Sequence, residues 1–250
     1  ILMSYNSHLM LLYFPFKKLV TSVEDCNKFF LKSETPPNIM KILEGGKILD
    51  QNRYKWICQS YKDFKTFVTL YDTQNKIPVF SAAKFNGSTP RRPNIPWMIE
   101  PQAGNKDYKT NQGFDRGHLF PSSYGFTDLE KKSTFTLTNI VPQKARFNQV
   151  SWNRMEECIK CVLNEYCFNN NGNIEGFVVI GAQPSNNGPN NSLNNRINIP
   201  SVLWSAFCCY SHSQNKWLAS AHWGNNTDHG PEHLDTKTLG ELHADKNNVK

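Results

Sequence analysis

The chain has 250 residues, 38% of them hydrophobic and 20% charged, which fits a folded globular protein of one or two domains and excludes a fibrous or low-complexity chain. Lys and Arg outnumber Asp and Glu by 28 to 21, a formal charge of +7 that suits a polyanionic partner such as nucleic acid or an acidic membrane face. No stretch is long and apolar enough for a transmembrane helix: the run at residues 9–16, closed by Lys17 and Lys18, is too short to cross a bilayer.

In chain order, residues 1–21 are left unassigned, a signal-peptide remnant being one reading of the apolar run. Residues 22–250 are expected to form a single domain. Residues 22–50 read as irregular, with Pro36-Pro37 and Gly45-Gly46 as breaks. The β-branched and aromatic runs at 64–71 and 77–85, with Asp72-Thr-Gln-Asn-Lys between them, predict a hairpin. A loop rich in Pro and Arg follows at 86–96, then a short segment at 114–120. Residues 134–141 predict a strand. Residues 148–166 predict the clearest helix, because Trp152, Met155, Ile159, Val162, Leu163 and Tyr166 recur at intervals of three and four. Further strands are expected at 177–180, 202–210 and 216–223. The pattern implies an α+β domain with a mixed or antiparallel sheet and helices.

Seven cysteines stand at 26, 58, 158, 161, 167, 208 and 209. Cys158 and Cys161 form a C-x-x-C pair with no second ligand pair at zinc-finger spacing, so disulfides are expected instead. The odd count leaves at least one thiol free or paired outside the chain. Adjacent residues of a strand point to opposite faces, so Cys208 and Cys209 should not bond each other. Three N-glycosylation acceptors, at Asn86, Asn190 and Asn225, join the cysteines in favouring an oxidising, secreted or secretory-pathway setting. His229 and His233 lie four apart, but Pro231 between them disfavours the regular helix that a zinc pair would need.

The informative stretch runs from Asp115 to Glu156. It contains Asp115-Arg116-Gly117-His118, then Thr138-Asn139 with Pro142-Gln143, then Asn148-Gln149 with Trp152 and Glu156. These three blocks, in this order and spacing, resemble the DNA/RNA non-specific endonuclease family, the ββα-metal nucleases. Residues 26–30, 57–61, 67–72, 97–102 and 199–210 resemble the endonuclease domain-containing 1 branch of that family. The resemblance covers about 220 residues and leaves out the first twenty or so. It implies a ββα-metal (His-Me finger) core, hydrolysis of DNA and RNA phosphodiesters to 5′-phosphate products, and a divalent cation, Mg²⁺ or Mn²⁺. No small-molecule cofactor is implied.

The residue types suit that chemistry. Hydrolysis needs an activated water, a cation against developing charge, and a phosphate clamp. His118 is the expected general base, its unperturbed pKa lying near working pH. Asn148 is the expected metal ligand through its amide oxygen, although Asn at the opening of a helix also serves as a cap. Eight helical residues turn about 800°, so Glu156 should lie about 80° and about 12 Å from Asn148 and act on metal-bound water rather than on the ion. Asn139 is expected to help arrange the site or to be an ordinary turn residue. Arg116 can fork onto a phosphate, or hold Asp115 or a backbone carbonyl. Either Arg91 or Arg92 is the expected upstream clamp, and Asp115 is expected to position its loop. The alternative function is a catalytically inactive nucleic-acid-binding or secreted interaction protein on the same fold. The oligomeric state is left open.

Overall fold

The computed structural model describes residues 18–20, 22–34, 42–108, 112–186 and 191–248. The apolar run at 9–16, Pro36-Pro37 and the acceptor Asn190 lie outside them.

The strands are β1 (Lys18–Val20), β2 (Tyr54–Tyr61), β3 (Phe64–Asp72), β4 (Ile77–Phe85), β5 (Phe114–His118), β6 (Ile140–Lys144), β7 (Gly176–Gln183), β8 (Val202–Ser211) and β9 (Lys216–Asn225). The helices are α1 (Asp128–Ser133), α2 (Asn153–Tyr166) and α3 (Leu239–Asn248). Seven strands form one antiparallel sheet in the order β1-β2-β3-β4-β7-β8-β9. Strand β1, inside the segment left unassigned from sequence, pairs with Trp56, Ile57 and Cys58 of β2. The residues at 22–34 fold into short turns rather than long elements.

Both faces of the sheet are covered, which is why β4 reads as an almost continuous buried run rather than an alternating one. Period-two alternation still sorts each strand: Phe67 and Tyr71 of β3 enter one core, Val68 and Leu70 the other. The first core joins the sheet to Leu119, Phe120, Ile140, Val141, Phe147, Trp152, Met155, Ile159 and Leu163. The second joins it to Val23, Phe29, Phe30, Leu43 and Leu242. Each layer carries one disulfide, Cys167–Cys209 in the first and Cys26–Cys58 in the second. Cys208 is not bonded to its neighbour Cys209 and is a free thiol, and Cys158 and Cys161 are exposed free thiols on α2.

The strand expected at 134–141 is corrected. Residues 137–139 form a tight turn and the strand is displaced to β6. Thr134, Thr136, Thr138 and Asn139 are fully buried, and their side chains bond inside the protein instead of alternating between a core and solvent. Strand β6 pairs antiparallel with β5, setting His118 opposite Ile140 and Gly117 opposite Val141. Gly117 is required by a close approach, because a Cβ there would overlap the side chain of the buried Gln143. The β5–β6 hairpin leads directly into the long helix, giving a ββα unit on the first face of the sheet.

Candidate active site

The helical chain after β6 does not begin as a regular α-helix. Residues 147–152 form a wider turn in which the Asn153 N–H donates to the carbonyl of Asn148, five residues back. Such a turn inserts about one extra residue into the helix and sets its phase back by about 100°. The separation of Asn148 and Glu156, about 80° in a regular helix, falls to about 20°. This phase shift is how the two residues come to line one cleft, and nothing in the residue types announces it.

The cleft, about 680 Å³, is lined by Arg91, Arg92, Arg116, His118, Asn148 and Glu156, together with Ser122, Gln149, Asn153 and Lys160. Of the predicted site residues only Asn139 does not line it. Asn139 is fully buried; its amide oxygen accepts from Ser81 Oγ and the Phe120 N–H, and its amide nitrogen donates to the carbonyls of Phe120 and Thr134. Its own carbonyl accepts from the Leu119 N–H at 2.8 Å. Asn139 therefore fixes the chain that leaves His118.

His118 is wedged between Trp97 and Phe135, both 4.9 Å away between ring centroids. Its Nε2 is buried and, among the described residues, meets no hydrogen-bond partner. Burial, assisted by the Arg92 guanidinium, pushes its pKa down to about 3, so the ring is neutral across the physiological range. Burial pushes the Glu156 carboxyl up to about 8; Glu157 adds to this, while the Trp152 indole, Lys160 and Arg92 oppose it.

Asn148 does not cap the helix. Its amide nitrogen donates to Asp115 Oδ2 at 2.8 Å, and Gln149 Nε2 donates to the same oxygen at 2.9 Å. A carboxylate can only accept, so Asp115 turns the Asn148 nitrogen toward itself and the amide oxygen away. Arg116 gives one hydrogen bond to the Tyr108 carbonyl at 3.0 Å, which settles its anchor as a backbone oxygen rather than Asp115. Arg91 and Arg92 are both exposed on the loop, and Arg92 also lies over the Phe135 ring.

Sequence reasoning missed the residue that holds this loop. Lys131 of α1 is 1% exposed, and its ammonium donates to the Thr89 carbonyl and hydroxyl and to the Arg91 carbonyl. A lysine among helical polar residues gives no outward sign of such burial.

The donor set fits a small hydrated divalent cation. Such an ion keeps several waters and takes one or two protein ligands, and the Asn148 amide, its nitrogen taken by Asp115, with the Glu156 carboxyl in the same lining, provides for it. No group of three or more His, Cys, Asp or Glu positioned to hold a metal occurs among the described residues. At His229 and His233, where Pro231 disfavours a zinc pair, the intervening Glu232 pairs with Arg154 at 2.6 Å.

Residues 45–243 match the model of the DNA/RNA non-specific endonuclease family. Over 214 residues, covering 74% of this chain and 39% of the relative, the sequence is 27% identical to human endonuclease domain-containing 1 protein. The chain thus spans about two fifths of the length of that relative. It is 35% identical to human mitochondrial endonuclease G over 66 residues, 26% of this chain and 22% of the relative. A crystal structure of the EndoG/EndoGI complex superposes with a TM-score of 0.57 at 17% identity, covering 74% of this chain and 83% of the other, a likeness of fold. With its three sequence blocks gathered on a ββα unit, the chain belongs to the DNA/RNA non-specific endonuclease family.

Proposed function

We propose that this chain is a divalent-metal-dependent endonuclease that hydrolyses phosphodiester bonds of DNA and RNA with little sequence preference. The observation that carries this reading is the shared cleft: the His118 ring and the Asn148 amide face one space, with three arginines and Glu156 around it.

His118 acts as general base. Its buried Nε2 leaves Nδ1 as the ring nitrogen that a cleft water can reach, and the neutral ring is ready to accept a proton. A bound phosphate offsets the Arg92 charge, which raises the basicity of the ring at the moment it is needed. Arg116 and Arg91 or Arg92 hold the non-bridging oxygens of the phosphate. Asn148 would hold the cation, with Glu156 orienting water beside it. When bound, the cation, Mg²⁺ or Mn²⁺, supplies Lewis-acid stabilisation of charge developing at phosphorus and the leaving oxygen. Asn139 is a positioning residue acting through the backbone that follows His118. Contacts to phosphates rather than base edges account for the lack of sequence preference, and the products carry 5′ phosphates.

The two disulfides and the exposed acceptors Asn86 and Asn225 support residence in an oxidising, secretory setting. No helix among the described residues is long and apolar enough to cross a membrane.

Plasmid nicking tests the reading. Wild type with Mg²⁺ should cut, EDTA should abolish cutting, and His118→Ala should lose roughly 10²- to 10⁴-fold in rate with its fold intact. Undiminished cutting by His118→Ala would remove the base.

A further inference from the structure

A second groove, about 510 Å³, lies next to the cleft and takes no part in the chemistry above. It is lined by Lys28, Lys32, Lys65 and Lys84, with Asn86 and Trp217. Two carboxylates also face it, and both are engaged. Glu175 pairs with Lys84 at 2.5 Å, and Glu130 accepts the Phe126 and Thr127 N–H groups at the start of α1. Lys28 lies over the Phe29 ring and Lys65 donates to the Asp25 carbonyl, so neither ammonium meets a carboxylate among the described residues; nor does Lys32. Among the described residues, three ammonium groups with no carboxylate partner therefore line one depression. Trp217, at 53% exposure among the most exposed large hydrophobic side chains, offers its indole there.

The groove and the cleft are joined by one short strip of chain. Asn86 lines the groove, whereas Ser88, Thr89, Arg91 and Arg92 line the cleft. Asn86 and Ser88 are two residues apart, a span of about 7 Å at most. A flexible polyanion leaving the cleft past the arginines meets the lysines by crossing this short ridge. Ser88 on that ridge accepts from the Asn164 amide of α2, and Lys131 of α1 holds the loop just beyond it at Thr89 and Arg91.

We propose that the lysine groove is an exosite for single-stranded nucleic acid, holding the strand that extends beyond the phosphate in the cleft. An exposed indole beside a basic track is the arrangement that grips unpaired bases and backbone together, whereas the bases of a duplex are stacked away from it. The inference deepens the nuclease reading and rests on it for the phosphate in the cleft.

The test uses the whole chain carrying no glycan at Asn86, with EDTA present so that nothing is cut. Binding of a long single-stranded oligonucleotide is measured against salt for wild type, for Lys28→Gln/Lys32→Gln/Lys65→Gln and for Trp217→Ala. The triple variant should bind roughly tenfold or more weakly at low salt, and its slope of log affinity against log salt should flatten by roughly 2, about 0.7 for each lost phosphate contact. Trp217→Ala should weaken binding roughly 5- to 100-fold with the slope unchanged. With Mg²⁺, both variants should cut the long strand at higher KM and hydrolyse bis(p-nitrophenyl) phosphate at the wild-type rate. Wild-type affinity and slope in the triple variant would overturn the exosite, as would tight binding of a sulfated polysaccharide with none of the oligonucleotide. Absence of cutting in every protein, with the binding differences intact, would count against the nuclease reading alone.

Discussion

The Asn148 amide donates to the Asp115 carboxylate at 2.8 Å across the gap between helix and hairpin, joining the first block of the sequence to the third. The partner of Asn148 decides which of its two amide atoms faces the cleft. Asp115→Asn can both donate and accept, so it no longer dictates that choice. Activity measured against Mg²⁺ concentration should show half-saturation raised roughly 10- to 100-fold, with a smaller fall in maximal rate. Unchanged metal dependence would dismiss Asp115 as an orienting group.

Lys131 offers a second test. Lys131→Met keeps much of the stem's volume but strands the Thr89 and Arg91 carbonyls that the ammonium satisfies. Thermal or urea unfolding should show a loss of about 1–3 kcal/mol. The KM for nucleic acid should rise more than kcat falls, since the loop carries Arg91 and Arg92 rather than the base. A loss of stability with KM unaltered would separate the loop from substrate binding.

At Gly117, added bulk is the issue. Gly117→Ala drives a methyl group into the Gln143 side chain and should cost about 1–3 kcal/mol. The double variant Gly117→Ala/Gln143→Ala makes room and should recover part of that loss. If the two effects simply add in denaturant melts, the contact is not what demands glycine.

The pH dependence of stability follows from two groups with opposite shifts. For His118, whose pKa falls from 6.5 to about 3 on folding, the unfolded chain binds the extra proton, so stability drops as pH falls through that window. For Glu156, raised from 4.5 to about 8, the folded chain binds the extra proton, so stability drops as pH rises through that window. In EDTA, Tm against pH should therefore decline on both sides. Glu156→Gln should flatten the alkaline limb alone and His118→Asn the acid limb alone. Identical profiles in all three proteins would show that these groups do not titrate with folding.

The features legible beforehand share one physical property: they are periodic or chemically unusual. The spacing of Met155, Ile159 and Leu163 announced α2, and alternation around Asp72-Thr-Gln-Asn-Lys announced the β3–β4 hairpin. Asn148 and Glu156 were legible as residue types, but their common azimuth was not, because the wide turn at 147–152 leaves no mark in composition. The stretch 134–139 misled because Thr and Phe favour strands in general, while here buried hydroxyls bond to neighbours in a turn. Pairing Cys167 with Cys209 needed the sheet order, since 42 residues separate them.

That cross-link has a mechanical consequence. Cys167 follows α2 directly and ties the far end of the helix to the last third of β8, whereas the near end rests on non-covalent contacts such as Ser151 to the Pro231 carbonyl. The far end of the helix is thus fixed to the sheet covalently, while the Asn148 end is held by the burial of Phe147 and Trp152 and by the bond to Asp115. Reducing the disulfide should free the far end of α2 while the Asn148 end keeps its own contacts.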